Sequence, residues 1–223
     1  MNLFDRFTPR IETEAETQAR QQHAEAEAIE RRIQALRKGG YPERAMAAAI
    51  HAAGPGATKA QDLTNHAMGD SLLILLGKTG RGKTVMSVLL AMERQARGLK
   101  PGTYLTAFSL FAELRSTMGG NRKRVSLFGD GEKVLTSDIL ITSWTKTPFL
   151  VVDEVQTRSG TAWEDGLLDE VVNARYAAFL PTVLIANFTP EEAQSNLGPR
   201  IMDRARECGG IVNCDWNSYR ATR

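Results

Sequence analysis

Lys83 and Thr84 close the stretch GKTGRGKT, which begins at Gly77 and carries two further glycines, Gly80 and Gly82. It fits the pattern G-x-x-x-x-G-K-[ST]. A phosphate chain bears several negative charges and needs several donors at once. Glycines let a loop wrap so that successive backbone N–H groups point inward. A helix starting at the end of the loop adds orphan N–H groups and a partial positive charge. The expected cradle is the run Gly77, Lys78, Thr79, Gly80, Arg81, Gly82, Lys83, Thr84 and Val85. In it, Lys83 reaches the β- and γ-phosphates of ATP and the Thr84 hydroxyl ligates Mg²⁺.

Hydrolysis needs more than a cradle. FLVVDE places Asp153 and Glu154 after an apolar run, at the strand end where ligands sit in open α/β sheets. Asp153 is suited to holding Mg²⁺ with Thr84, and Glu154 to polarising the attacking water. Asn187 closes a second apolar run, TVLIAN. A polar amide there is costly without partners. Helix capping is one use for it, but Thr189, followed by Pro190, already serves as cap. That leaves Asn187 for the attacking water or the γ-phosphate. Arg200 and Arg204 lie four apart, on one helical face. A guanidinium fork suits a γ-phosphate, and one supplied by a neighbouring subunit would couple hydrolysis to assembly. Ion pairing with Asp203 is the plainer use, and Arg175 and Arg220 are further candidates.

These residues need elements to hold them. SLLILLG before the loop suits a strand buried on both faces, and KTVMSVLLAMERQARG after it has helical apolar spacing with Gly98 as a stop. Strand-like and helix-like pieces then alternate. Strands are expected at Thr103–Ala107, Phe149–Glu154, Thr182–Asn187 and Ile211–Cys214. Helices are expected at Ser109–Met118, about Lys133–Trp144 and Ala162–Ala178, with GGNRKRVSLFGDGEK a polar loop. The pattern predicts an α/β fold, a P-loop NTPase with a mostly parallel sheet.

The chain has 223 residues, 42% of them apolar and 24% charged, with a formal net charge of +2. That is ordinary for one globular core plus an appendage. No apolar run is long enough to span a membrane, and MNLFDRFTPR lacks the apolar core of a secretory signal. Two cysteines, Cys208 and Cys214, make neither a disulfide scaffold nor a zinc site by themselves. A cytoplasmic location is expected. Residues 11–38 are rich in Ala, Glu, Gln and Arg, with few apolar positions, and form a long helix with little to bury. It is a solvated arm, a weak coiled coil or a docking helix. GGYPE ends it. The division is a helical partner-binding arm (1–40), a linker with short helices (41–69) and the ATPase domain (70–223). His23, His51 and His66 are isolated and read as structural or exposed.

Together YPER, GKTGRGKT, FLVVDE, EDGLLDEVVNARY, LIAN, LGPRIMDR and CDWNSYR resemble the DnaC family of bacterial replicative helicase loaders, which are AAA+ ATPases. The resemblance runs from about Tyr41 to Arg220. It implies an ATPase that loads a replicative DNA helicase onto single-stranded DNA, oligomerises on assembly and has no helical lid. It makes Asn187 the sensor residue, Arg204 the arginine finger with Arg200 as contender, and Arg220 a nucleotide-sensing arginine. The family's N-terminal part contacts the helicase and in some loaders binds zinc. The Ala/Glu-rich segment here has no cysteine and does not support zinc. The short chain also suits a phage or plasmid version. Single-stranded DNA is expected on FSLFAELRSTMGGNRKR, through Arg115, Arg122, Lys123 and Arg124 on phosphates and Phe108 or Phe111 on bases, although the same aromatic spacing suits a core. The alternative in the same class is the ATPase helper of a transposase, binding target DNA. A structural adaptor with a relict P-loop is opposed by the intact Lys83, Thr84, Asp153 and Glu154. A P-loop kinase would need a second substrate site and a lid.

Overall fold

The computed structural model describes residues 14–53, 55–68, 72–118, 123–126 and 132–217. Five strands form one sheet: β1 (Leu72–Leu76), β2 (Thr103–Thr106), β5 (Leu150–Asp153), β6 (Thr182–Ile185) and β7 (Gly210–Asn213). Their order is β2-β5-β6-β1-β7, and every pairing is parallel. The P-loop strand β1 and the acidic strand β5 are therefore separated only by β6, the strand that leads to Asn187.

The sheet is buried on both faces, so its central strands read as unbroken apolar runs. Alternate residues of each run serve opposite layers. Leu72, Ile74, Leu76, Leu150, Val152 and Leu184 pack with Phe111, Leu168 and Ile201. These come from α5 (Ala107–Thr117), α7 (Ala162–Ala177) and α9 (Gly198–Arg204), and α6 (Ser137–Lys146) and α8 (Pro190–Asn196) complete that layer. Leu73, Leu75, Val151, Val183 and Ile185 face the other way, onto Met86 and Leu90 of α4 (Lys83–Ala96).

The second layer also takes in the segment expected as a connector. It forms α2 (Glu43–Ile50), α3 (Pro55–Asp62) and a short 3₁₀ turn, Thr64–Ala67. Tyr41, Ala45, Met46, Ala49, Ala60 and Leu63 are buried in the same cluster as α4. Alanines here allow close helix packing. The long α1 (Glu14–Lys38) is exposed over most of its length, but Leu36 near its end is buried in that cluster too. His23 is on its exposed surface, 3.2 Å from Glu27.

One stretch departs from expectation. The polar loop after α5 contains an antiparallel pair, β3 (Lys123–Ser126) with β4 (Glu132–Leu135). The helix expected from Lys133 begins only at Ser137, because Thr136 is its cap and accepts a hydrogen bond from the Ile139 N–H. Short alternating runs such as KRVS and EKVL carry too few residues to announce strands by periodicity.

Candidate nucleotide site

The P-loop leaves β1 at Gly77. A Cβ on Gly77 would lie 2.5 Å from the Cys214 carbonyl oxygen, and its φ is 128°, so only glycine fits between β1 and the chain leaving β7. Gly82 sits at the start of α4 with φ 81°, turning the loop into the helix. Lys83 follows, almost fully buried. Its ammonium donates to the Gly77 carbonyl (2.6 Å), the Lys78 carbonyl (3.0 Å) and Asn187 Oδ1 (2.8 Å). These three acceptors satisfy the three N–H bonds of the head group. Burial lowers its pKa, against the raising influence of Cys214 and Asp153. The charge is thus held inside the loop, by acceptors that a phosphate can replace.

Asp153, at the end of β5, is 4% exposed. Its Oδ2 accepts from the Thr84 hydroxyl (2.6 Å) and from the Tyr104 hydroxyl (2.8 Å), and its Oδ1 from the Glu154 N–H (2.6 Å). The sequence analysis brought Thr84 and Asp153 together but overlooked Tyr104. Burial, then the adjacent Asp153, push the Tyr104 phenol well above its usual pKa, so it is the donor of that bond. A threonine hydroxyl and a carboxylate in contact are hard oxygen donors beside a lysine. That set fits Mg²⁺, which keeps much of its shell as water and phosphate.

Glu154 is exposed and adopts φ 55°, ψ 41°. A long side chain in the left-handed region costs on the order of 1 kcal/mol, and such strain clusters at working sites. Val155, the next residue, is fully buried and anchors the turn. Asn187 is fixed at both ends: its N–H donates to Gln156 Oε1 (3.0 Å) and its side-chain oxygen accepts from Lys83. Capping of α8 falls to Thr189, in a capping box with Glu192. Lys83–Asn187 and Thr84–Asp153 therefore form two hydrogen-bonded pairs, set side by side because Lys83 and Thr84 are consecutive, with Glu154 next to Asp153.

The arginines lie elsewhere. Arg204 donates to Asn173 Oδ1 (2.5 Å), lies 3.7 Å from Asp169 and stacks 5.2 Å from the Tyr176 ring. Arg200, 78% exposed, is 3.3 Å from Asp169. Both side chains rest against α7 and bond no residue of the P-loop in this chain. Asp203 pairs with Arg206 rather than with either. Arg220 lies outside the described residues. Arg175 is excluded from phosphate contact, because it is fully buried and structural. Its guanidinium donates to the Trp144, Thr147 and Pro181 carbonyls and to Thr182 Oγ1, and burial lowers its pKa to about 9.

The segment after β7 contributes a contact the sequence analysis missed. Trp216 Nε1 donates to the Arg81 carbonyl at 2.8 Å, clasping the P-loop. Burial raises the neighbouring Cys214 thiol to about 11. On α5, Phe108 is exposed, whereas Phe111 is buried against Trp163 and is withdrawn from base contact. Arg115 is ion-paired with the buried Glu164. Arg122 lies outside the described residues, and Lys123 and Arg124 fall on β3.

No family model matches the chain. Among curated proteins it is similar to the replicative helicase loader DnaC of Escherichia coli strain K12, 27% identical over 149 residues, which are 66% of this chain and 56% of that protein. The DnaC loader of Buchnera aphidicola is 22% identical over 148 residues, 66% of this chain and 55% of that protein. The chain thus spans little more than half the length of these relatives. Among solved structures it resembles DnaI (TM-score 0.60, 19% identity, 77% of this chain and 93% of that one). It also resembles a DnaC helicase loader (TM-score 0.56, 16% identity, 70% and 86%). A third likeness is DnaA bound to AMPPCP and single-stranded DNA (TM-score 0.55, 17% identity, 74% and 48%). At these identities the structural likenesses speak to the fold alone. The resemblance to the DnaC helicase loaders holds over two thirds of the chain, and the fold is that of the AAA+ P-loop NTPases.

Proposed function

We propose that this chain is an ATP-dependent loader that places a replicative DNA helicase on single-stranded DNA when replication begins. The observation that carries the proposal is the two neighbouring hydrogen-bonded pairs, Lys83–Asn187 and Thr84–Asp153, in a chain similar to DnaC loaders. A relict P-loop would have no reason to keep the charged Lys83 and Asp153 buried with polar partners beside them.

In this reading Lys83 exchanges its carbonyl partners for the β- and γ-phosphates of ATP. Thr84 and Asp153 hold Mg²⁺, which when bound neutralises charge developing on the phosphates. Glu154 orients the attacking water, and Asn187, steadied by Gln156, marks the position of the γ-phosphate. Arg204, with Arg200 beside it, completes the site of a neighbouring copy, so hydrolysis waits for assembly. Its hydrogen bond to Asn173 and its place over the Tyr176 ring hold its guanidinium against α7, so less entropy is lost on meeting a phosphate. Arg220 acts as a nucleotide-sensing arginine. Residues 1–40 engage the helicase, and residues 41–223 bind ATP and single-stranded DNA, in the cytoplasm.

The test is capture from host extract by the full-length chain with ATP and Mg²⁺, set against the 41–223 fragment. A replicative helicase retained only by the full-length chain is the expected result. A transposase in its place would replace the loader reading with a transposition helper. Helicase on the fragment would move the binding surface off the arm.

A further inference from the structure

Tyr104 belongs to two structures at once. Its hydroxyl donates to Asp153 Oδ2, the oxygen that also accepts from Thr84. Its backbone N–H donates to the Gly39 carbonyl at 2.7 Å, in the turn that joins α1 to α2. Its ring lies against that of Tyr41, centroids 5.5 Å apart and planes tilted by 40°. Tyr41 is itself buried, and its hydroxyl donates to the Pro101 carbonyl just before β2 at 2.7 Å. The turn fits the sheet edge with no slack. A Cβ on Gly39 would stand 2.6 Å from the Gly102 carbonyl oxygen, and one on Gly40 (φ 85°) 2.5 Å from that of Tyr104. The turn that follows the long arm helix and the Asp153 carboxylate are therefore joined through one residue.

We propose that Tyr104 is a positioning residue that couples the seating of the α1–α2 turn to the orientation of Asp153, so that the N-terminal arm and Mg²⁺-ATP stabilise one another. The inference rests on the nucleotide reading above and extends it to regulation. When Thr84 turns its hydroxyl to Mg²⁺, Asp153 Oδ2 loses one of its two donors. The Tyr104 bond is the one that persists and keeps the carboxylate aimed. A turn pulled out of its seat takes the Tyr104 backbone with it and loosens that aim. Linkage makes the effect mutual: whatever seats the turn tightens Mg²⁺-ATP, and Mg²⁺-ATP seats the turn.

Calorimetry of ATP binding to the full chain, in Mg²⁺ and in EDTA, reads the coupling without recourse to turnover. Tyr104→Phe keeps the ring and removes the hydroxyl. We expect wild-type affinity in EDTA and at least about a tenfold smaller gain from Mg²⁺, the scale of one charge-assisted hydrogen bond. Gly40→Ala, remote from the nucleotide, should show the same selective loss, and the double variant should be no worse than either alone. If Gly40→Ala unfolds, Tyr41→Phe replaces it with the same expectation. A full Mg²⁺ gain in Tyr104→Phe overturns the proposal, and so do losses that multiply in the double variant. A wild-type chain without ATP affinity would overturn the nucleotide reading itself, and this inference with it.

Discussion

Replacing Arg175 by Met keeps the length of the side chain and removes every donor. In the fold Arg175 does a job created by Pro148. The Trp144 carbonyl, in the last turn of α6, would ordinarily accept from the N–H four residues on, and proline has none. Arg175 Nη1 supplies that donor at 2.8 Å and also reaches the Thr147 carbonyl at 2.7 Å. The other two acceptors keep company without it: the Pro181 carbonyl still receives the Leu150 N–H, and the Thr182 hydroxyl still donates to the Leu180 carbonyl. The variant therefore orphans two carbonyls, at about 1–3 kcal/mol each. The two shared bonds add about 1 kcal/mol apiece, and relief from burying a guanidinium offsets part of the sum. A net loss of about 3–5 kcal/mol follows, which for a chain of this size lowers the melting temperature by about 10 °C. Thermal unfolding by circular dichroism measures it, with ATP affinity at low temperature as control. A shift under about 3 °C would mean that Arg175 does not satisfy these carbonyls, and lost affinity at unchanged stability would return Arg175 to the nucleotide site.

Three shorter predictions concern the site. Lys83→Ala should abolish ATP binding in calorimetry while leaving the melting temperature within about 2 °C, because its acceptors lie at a loop surface that water can reach; retained binding would remove Lys83 from the phosphates. Glu154→Gln should bind ATP as tightly as wild type and hydrolyse it at least about 100-fold more slowly, in line with loss of a general base; mixed with Arg204→Ala, it should recover part of the activity, and no recovery from an intact assembly would deny Arg204 its role in trans. Trp216→Phe, which deletes the indole bond to the Arg81 carbonyl, should weaken ATP binding about fivefold with little effect on stability, and an unchanged affinity would leave Trp216 as packing only.

Most of the fold was legible because a parallel sheet buried on both faces leaves a loud signal. LLILL, FLVV and VLI are unbroken apolar runs, and strands β1, β5 and β6 fall on them. The short β3–β4 pair gave no such run. The packing of residues 41–63 was also hidden. An Ala-rich helix broken by GPG has a connector's composition, and only the partner surface of α4 reveals that Tyr41, Met46 and Leu63 are core. Spacing placed Thr84 and Asp153 in the right elements, and the glycine loop announced itself. Tyr104 did not, since a tyrosine in TYLT is an ordinary strand residue until the register sets it beside β5, with Tyr104 opposite Val151 and Thr106 opposite Asp153.

The arginines show why sequence alone separates roles poorly. Arg175, Arg200 and Arg204 sit on two helices packed together, and each carries the same charge and the same fork. What distinguishes them is how their donors are used. Arg175 uses four of its five donors inside the protein and has no exposure, so a ligand cannot reach it. Arg204 is braced by Asn173, Asp169 and Tyr176 yet stays partly exposed, the condition of a side chain held ready at an edge. Arg200 is open to solvent with Asp169 as its ion-pair partner among the described residues, and its rotamers are correspondingly freer. Preorganisation favours Arg204 as the group presented to a neighbouring copy, since an arginine already fixed loses less entropy when it meets a phosphate. The bracing has its own consequence. Asp169 lies near both arginines, so under the proposed role in trans Asp169→Asn should free them together and slow ATP hydrolysis measured as protein concentration is raised; an unchanged rate would deny the bracing any part in it.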